Sequence, residues 1–562
     1  MPFSRMRRLC STRLLPPKRC HSEKSEESAF LPARCRVVPF ARPLLAGTRA
    51  LFECGGLPPL CRAPSPPNAH TAVSFPRTGR LLWRALLAIA LLASLSSCSP
   101  PPEPTLAITH VTVIDMTGAT PLADQTVIIE KQRISNLGPS NALAIPRGAQ
   151  LLDAQRKFLI PGLVDMHIHL TAAGEPDGSR KFIIPLLLAN GVTGVRDMGG
   201  YLESLIPLKK EIQEGKRLGP SIITPGPYLD GSPPSFQPSL VVTNRQQAED
   251  DVHQLVSRGG DFIKVQSILS RDAYFAVAQA AQREHIVFVG HVPDRVTAAE
   301  AADAGQHSIE HLTNVLRGCS RDEPKLMREQ FFITAKQQSP GQSRARESRW
   351  LHRLLDAYSP EAAAALLAKF KEKDVWHTPT LVLLKNDAFP TLENSAMSDD
   401  RAKFIASRTL ETWKYSRIEQ MKTVSPQDSD LHAQLLRKSM DLVAQMQKAD
   451  VKILAGTDSP APYVFPGSSL HEELQLLVEA GLTPFEALRA ATKSPAEFLH
   501  TEKDSGTVEK GKYADLVLLD SNPLENIRNT RKIRAVILRG KLLDRPILDQ
   551  LLDSVRSFAS AN

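Results

Sequence analysis

Cysteine is nearly absent from most of this chain. Six of its seven cysteines, Cys10, Cys20, Cys35, Cys54, Cys61 and Cys98, lie in the first 98 residues, which leaves Cys319 alone in the remainder. A single thiol excludes a disulfide framework there, even in a compartment that would permit one. An excess of one charge is missing from the same region. The whole chain carries +9, but residues 1–98 hold 15 of the 69 basic residues and four of the 60 acidic ones. The remaining 54 basic and 56 acidic residues nearly cancel. Nucleic acid is therefore excluded as a partner, because the basic excess lies in a leader. Apolar runs are short as well. The longest, within LLAIALLASLSSC, falls below the roughly 20 residues that a permanent bilayer span needs.

The first 98 residues differ in kind from the rest. Residues 1–75 are rich in Arg, Pro and Cys, as in CRAPSPPNAH, and lack the apolar period of a packed helix or strand; a disordered or mis-annotated extension is expected. Residues 76–98 follow another pattern: Arg77, Arg80 and Arg84, then an apolar run, then small residues ending at Cys98. That is the order of an export signal, with a retained membrane helix as the bland alternative. Leu95-Ser96-Ser97-Cys98 resembles the lipobox of bacterial lipoproteins, which implies lipidation at Cys98. Ser99 after it implies a periplasmic or outer-membrane-tethered protein. Since export signals are N-terminal, translation is expected to start near Val73.

Short β-rich runs open the next region, LAITHVTVID, QTVIIEKQRISNLG and AQLLDAQRKFLIPG, and YADLVLLD and IRAVILRGKLLD match them near the C-terminus. Residues 104–162 and 500–545 are thus expected to form a small β-sandwich from both chain ends. Between them, residues 163–499 alternate short apolar strands with longer helical stretches. Eight candidate strands can be counted: LVDMHIH, VTGVRDM, PSIITP, DFIKVQS, IVFVGHV, HSIEHL, VWHTPTLVLL and VKILAGTDS. The expected fold class is α/β, a (β/α)8 TIM-like barrel. Ser359-Pro360-Glu361 and Thr483-Pro484-Phe485-Glu486 read as helix starts, a hydroxyl cap before Pro at the first helical position. Residues 317–372 are too long for an ordinary connection and are expected to cap the barrel mouth.

Chemistry gathers at the C-terminal ends of these strands, where barrel enzymes build their sites. His167 and His169 stand two apart on the first strand and can share one ion. Alone the pair is a weak signal. His291 ends the fifth strand, His311 the sixth and Asp458 the eighth, and neutral imidazoles with a carboxylate are the donors that zinc and similar divalent ions prefer. His307 and His377 read as packed residues, His471 as either a helix-terminal residue or one that touches substrate, and no spacing singles out Arg196 or Tyr228, although either could reach a substrate.

PGLVDMHIHL, GVTGVRDMGG, DFIKVQS, GHV, SIEHL and AGTDS occur in this order across residues 104–545, and the chain resembles the amidohydrolase superfamily, more narrowly its imidazolonepropionase-like group. The resemblance implies a binuclear centre. His167, His169 and Asp458 would hold one divalent cation and His291 and His311 a second, zinc being the first choice for both. Lys264 would be carboxylated to N6-carboxylysine between them, with a bridging hydroxide as nucleophile. The bland alternative for Lys264 is a lysine that reaches solvent or pairs with a carboxylate. Asp458 would also move the proton.

The implied activity is hydrolysis of an amide C–N bond in a small peptide or N-acyl amino acid. A lactonase or cyclic amidase would use the same centre. A mononuclear deaminase is a further alternative, although the cytosine-deaminase-like pattern has Glu where this chain has Asp294. A tethered binding protein without activity would be expected to have lost at least one ligand, and none is lost.

Overall fold

Alternating apolar residues at both ends of the main region build one sheet. The structure, a computed structural model, describes residues 105–118, 120–171, 178–334, 340–388, 399–421 and 426–561. The expected extension, the expected export signal and Cys98 lie outside them. The sheet takes β1 (Leu106–Val113), β2 (Leu122–Glu130), β3 (Arg133–Pro139), β4 (Gln150–Asp153) and β5 (Phe158–Pro161) from one end of the chain. It takes β15 (Leu516–Leu519), β16 (Ile533–Leu538) and β17 (Lys541–Asp544) from the other. Their order is β17-β16-β15-β5-β1-β2-β3, with β4 paired to β1. The expected sandwich is thus, in its hydrogen bonding, one continuous eight-stranded sheet. β5 explains why: it pairs with β1 through Thr112 and Phe158 and with β15 from Leu516 opposite Pro161 to Leu519 opposite Phe158, which joins the two ends in one ladder.

β15 also shows how this sheet serves two cores. Leu516 and Leu518 pack with Leu106, Ile108 and Val127, whereas Val517 and Leu519 face the large central core. A period of two delivers alternate side chains to opposite faces.

The central region carries β6 (Leu163–Ile168), β7 (Val192–Asp197), β8 (Ser221–Ile223), β9 (Tyr228–Asp230), β10 (Ser239–Val241), β11 (Ile263–Val265), β12 (Phe288–Gly290), β13 (Ser308–Glu310) and β14 (Trp376–Thr378). All are paired in parallel, as one sheet of six strands, β10-β9-β11-β12-β13-β14, and one of three, β6-β7-β8. The fold is α/β, but the ladders do not close into the expected continuous eight-stranded barrel. One seam is spanned by the segment expected as the eighth strand, which enters only through isolated bridges: Ile453 to His377 of β14 and Ser459 to Ile168 of β6. The other is spanned by Asp261, whose N–H donates to Thr224 O at 2.8 Å and whose carboxylate accepts from Thr224 N at 2.8 Å. Strands of three residues leave too few paired groups for a long ladder, so turns and side chains complete the ring of hydrogen bonds.

The helices start where the sequence placed them. Ser359 accepts from Ala362 N at the head of helix Pro360–Glu372, and Thr483 with Glu486 forms a full capping box on helix Pro484–Ala490. The seventh strand is shorter than expected. It stops at Thr378, and helix Leu381–Ala388 follows, because Pro379 has no N–H for a ladder and Thr380 turns to φ 48°. Helices Glu323–Thr334 and Pro340–Asp356 build a small core of their own from Leu326, Trp350, Leu354 and Ala357, with Leu435 packed against it. Helix Pro360–Glu372, also inside the expected insertion, belongs instead to the central core through Ala363, Leu366, Leu367 and Phe370. Among the described residues no helix is long and apolar enough to cross a membrane.

Candidate active site

Parallel strands point all their C-terminal ends one way, and six side chains selected from the sequence meet there. β6 delivers His167, and His169 follows just beyond it. Their Nε2 atoms lie 3.1 and 2.9 Å from the same oxygen of Asp458. One ligand atom from each of these three residues lies within 4.8 Å of the others, an arrangement that could hold a metal ion. His311, after β13, brings its ring centroid to 4.5 Å from that of His167, and His291, after β12, stands 5.0 Å from His311. The four imidazoles thus form a row from His169 to His291. Lys264, in the middle of β11, is 1% exposed, and its Nζ has no hydrogen-bond partner.

Every imidazole in the row uses Nδ1 for a protein contact. His167 Nδ1 meets Glu310 Oε2 at 2.8 Å, His291 Nδ1 meets Ser267 Oγ at 2.8 Å, and His311 Nδ1 meets Thr380 Oγ1 at 2.8 Å. His169 Nδ1 meets Gly199 O at 3.3 Å and the Tyr228 hydroxyl at 3.2 Å. Such contacts fix each ring plane and leave Nε2 as the remaining ligand atom, the usual support of metal-binding histidines. Backbone geometry is committed to the same end. His311, Thr380 and Asp458 all have left-handed φ, of 57°, 48° and 64°, which is unfavourable for non-glycine residues and most of all for β-branched Thr380.

Glu310 lies beneath the row and was not anticipated. It is fully buried and accepts from Arg196 Nη2 at 2.9 and 3.0 Å and from Ser308 Oγ at 2.5 Å, besides meeting His167. Arg196 also donates to Met166 O at 2.6 Å and to Thr378 Oγ1 at 3.0 Å, so one guanidinium ties β6, β7, β13 and β14 together. Arg196 is wholly buried and serves this brace rather than a substrate. The signal for Glu310 was its place next to His311, where an acid in a buried strand needs a partner.

Electrostatics follow from these neighbours. Burial pushes the Asp458 carboxyl up, but the charges of His167 and His311 and hydrogen bonds from His167 and His169 outweigh it, leaving Asp458 well below the usual carboxylate range. Glu310 ends in the same place because Arg196 and His167 offset its burial. Burial lowers Lys264 to about 8 and His311 to about 3. These directions favour a carboxylate at Asp458, a neutral imidazole at His311 and an amine at Lys264 that loses its proton readily, the donor states that a cation requires, whereas at His169 burial is outweighed by the hydrogen bond and charge of Asp458, which raise it.

Tyr228 approaches His169 because residue 199 is glycine. A Cβ there would lie 2.1 Å from the Tyr228 ring, and Gly199 has φ 152°. The remaining histidines stand elsewhere. His307 stacks on Phe498 at 4.9 Å, His377 is buried against Phe370, and His471 meets Thr530 Oγ1 at 3.0 Å. Asp294 accepts from Gln330 Nε2 at 2.8 Å.

A model of the amidohydrolase family matches residues 158–543, a span that contains all six of these residues. The chain belongs to the amidohydrolase family. As an amidohydrolase it is an enzyme acting on carbon–nitrogen bonds, in a family that typically binds metals. Among characterised relatives, ochratoxinase from Aspergillus niger is 22% identical over 441 residues, covering 67% of this chain and 73% of its own length. Bottromycin amidohydrolase has a similar structure, with a TM-score of 0.64 and 21% identity over 84% of this chain and 93% of that one. A Xaa-Pro dipeptidase with methionine bound in its active site matches with a TM-score of 0.56 and 19% identity, over 78% of this chain and 100% of that one. At these identities the structural likenesses establish the fold that the amidohydrolase shares with them.

Proposed function

We propose that this amidohydrolase cleaves the amide bond of a small peptide or N-acyl amino acid at a centre of two divalent cations. The observation that carries the reading is the donor set: four imidazoles with Nδ1 engaged, one carboxylate held as an anion, and a buried lysine Nζ without a partner. His167, His169 and Asp458 would hold one cation and His291 and His311 the other, with zinc the first choice. When bound, such a pair lowers the pKa of water and polarises a carbonyl.

The protein's own part follows from position and charge. Lys264 at a pKa of about 8 is neutral in about a tenth of molecules at pH 7, enough for its nitrogen to add to carbon dioxide. The N–C bond forms, the nitrogen loses a proton to solvent, and a carbamate anion takes the place of the unpartnered ammonium. Asp458 begins as a carboxylate, accepts the proton that the attacking water gives up, and returns it to the departing amine. Two relatives or structural neighbours named for amide or peptide substrates, bottromycin amidohydrolase and the Xaa-Pro dipeptidase, support the choice of bond.

Metal analysis of the purified protein tests this reading, together with a screen of dipeptides, N-acyl amino acids and lactones. About two ions per chain and turnover on an amide are expected; one ion per chain, or turnover confined to lactones, refutes it. Asp458→Asn should abolish turnover with most of the metal retained. On sequence alone we further propose export and tethering through a lipid at Cys98, which mass spectrometry of the mature N-terminus tests. Peptides from residues 1–70 would refute that.

A further inference from the structure

Nine large apolar side chains are exposed among the described residues, and three of them share one end of the parallel sheets. Tyr201 follows β7 and is 47% exposed, Phe236 follows β9 and is 59% exposed, and Ile268 follows β11 and is 41% exposed. All three leave the C-terminal ends of strands, the end that carries the imidazole row. Isolated exposed apolar residues are ordinary on a protein surface, whereas a group gathered at a site is not.

The loops that carry them are built. The buried carboxylate of Asp230, at the end of β9, accepts from Ser235 N at 2.7 Å and from Ile268 N at 3.0 Å, which pins the loop before Phe236 to the loop bearing Ile268. These loops pass so closely that a Cβ on residue 231 would lie 2.2 Å from Ile268 O, and the residue is Gly231. Gly200 N donates to Gly226 O at 3.0 Å, which holds the loop of Tyr201 beside the approach to Tyr228. A chain of rings then leads inward. Phe236 lies 6.5 Å from Tyr228, and Tyr228 lies 6.0 Å from His169. The exposed ring of Phe236 is thus linked through Tyr228 to His169, at the near end of the imidazole row.

Resting on the amide-hydrolase reading, we infer that Tyr201, Phe236 and Ile268 form a recognition rim for an apolar group of aromatic size on the substrate, seated on the His169 side of the centre. A charged or small polar substituent would gain nothing from three apolar side chains held in water, whereas an aromatic one buries its own surface and theirs together. The continuity of rings from Phe236 to His169 selects the substrate as occupant, since a group bound there stays attached to whatever is held at the centre.

The test replaces exposed side chains that lie outside the ligand set. The metal-loaded parent and the double variant Phe236→Ser/Ile268→Ser are assayed on matched N-acetyl and N-benzoyl derivatives of glycine and phenylalanine. The parent should prefer the substrates with aromatic groups. The variant should lose about tenfold of that preference through KM, with metal content and kcat/KM for N-acetylglycine unchanged. An unchanged preference overturns the inference. If neither protein cleaves any amide, the amide reading fails by itself, and calorimetric titration with N-benzoylglycine and N-acetylglycine judges the rim separately. A benzoyl preference lost in the variant supports it, and equal binding of both ligands by the parent refutes it. A parent dimer that the variant converts to monomer would make the surface an interface between copies, also against the inference.

Discussion

Replacing Glu310 by Gln removes one charge from a pair in which both side chains are 0% exposed. Arg196 then keeps a buried cation without its ion-pair partner, only the more distant Asp165 carboxylate opposing its charge, and breaking a buried pair from one side costs about 3–5 kcal/mol. The remaining contacts of Arg196, to Met166 O, Ser308 Oγ and Thr378 Oγ1, are hydrogen bonds without opposing charge and do not replace it. His167 also exchanges a carboxylate partner at 2.8 Å for an amide that can present either face, so its ring loses its fixed orientation. Metal affinity should fall about 10–100-fold as a result. Denaturant midpoints measure the first effect and metal titration the second. The double variant Arg196→Met/Glu310→Met should cost less than Arg196→Met and Glu310→Met summed, by a coupling of about 1–3 kcal/mol. A Glu310→Gln protein with the parent's midpoint and metal affinity, or strict additivity in the double variant, would refute the account of this brace.

Three other outcomes can be checked. Glu473 is fully buried, and burial raises its carboxyl from 4.5 to about 8, so ionising it opposes folding. Its contribution is most favourable below about pH 4.5 and declines until about pH 8, by a total on the order of 5 kcal/mol. The unfolding midpoint of Glu473→Gln should therefore gain on the parent from pH 6 to pH 9; parallel curves would contradict this. Gly199→Ala drives a Cβ to 2.1 Å from the Tyr228 ring, and turnover should fall about 100-fold in a folded protein if Tyr228 is displaced from His169. Parent-like kinetics would show that the Tyr228 position is not needed. Lys264→Met keeps the volume and removes an unpartnered buried ammonium, so stability should hold or rise while bound metal drops from about two ions per chain to about one. Retention of two ions would remove Lys264 from the ligand set.

Much of this arrangement was legible before any coordinates. The composition break at Cys98, the alternation of strands and helices, the caps at Ser359 and Thr483, and the choice of His167, His169, His291, His311 and Asp458 all rest on local chemistry, whereas Lys264 was singled out by the family resemblance. A strand's parity, a hydroxyl before proline and an imidazole at a strand end each keep their meaning in isolation. What could not be read depends on which strands become neighbours. Whether the terminal strands form one sheet or two depends on β5 pairing with both β1 and β15, a matter of residues more than 350 apart, as Phe158 and Leu519 show. The eighth strand reduced to bridges because Ala455 N donates to Ala490 O instead of to a neighbouring strand and Asp458 turns to φ 64°.

The sequence by itself selected the candidate donors, because a metal centre needs particular atoms and only a few residue types carry them. Tertiary structure alone decided what those donors are held by. Glu310, Arg196, Thr380 and Ser267 have no spacing signature, since each acts across strands on a partner chosen by packing. The exposed rim of Tyr201, Phe236 and Ile268 is of the same kind. Three residues far apart in the chain reach the same end of the parallel sheets only when the strands pair.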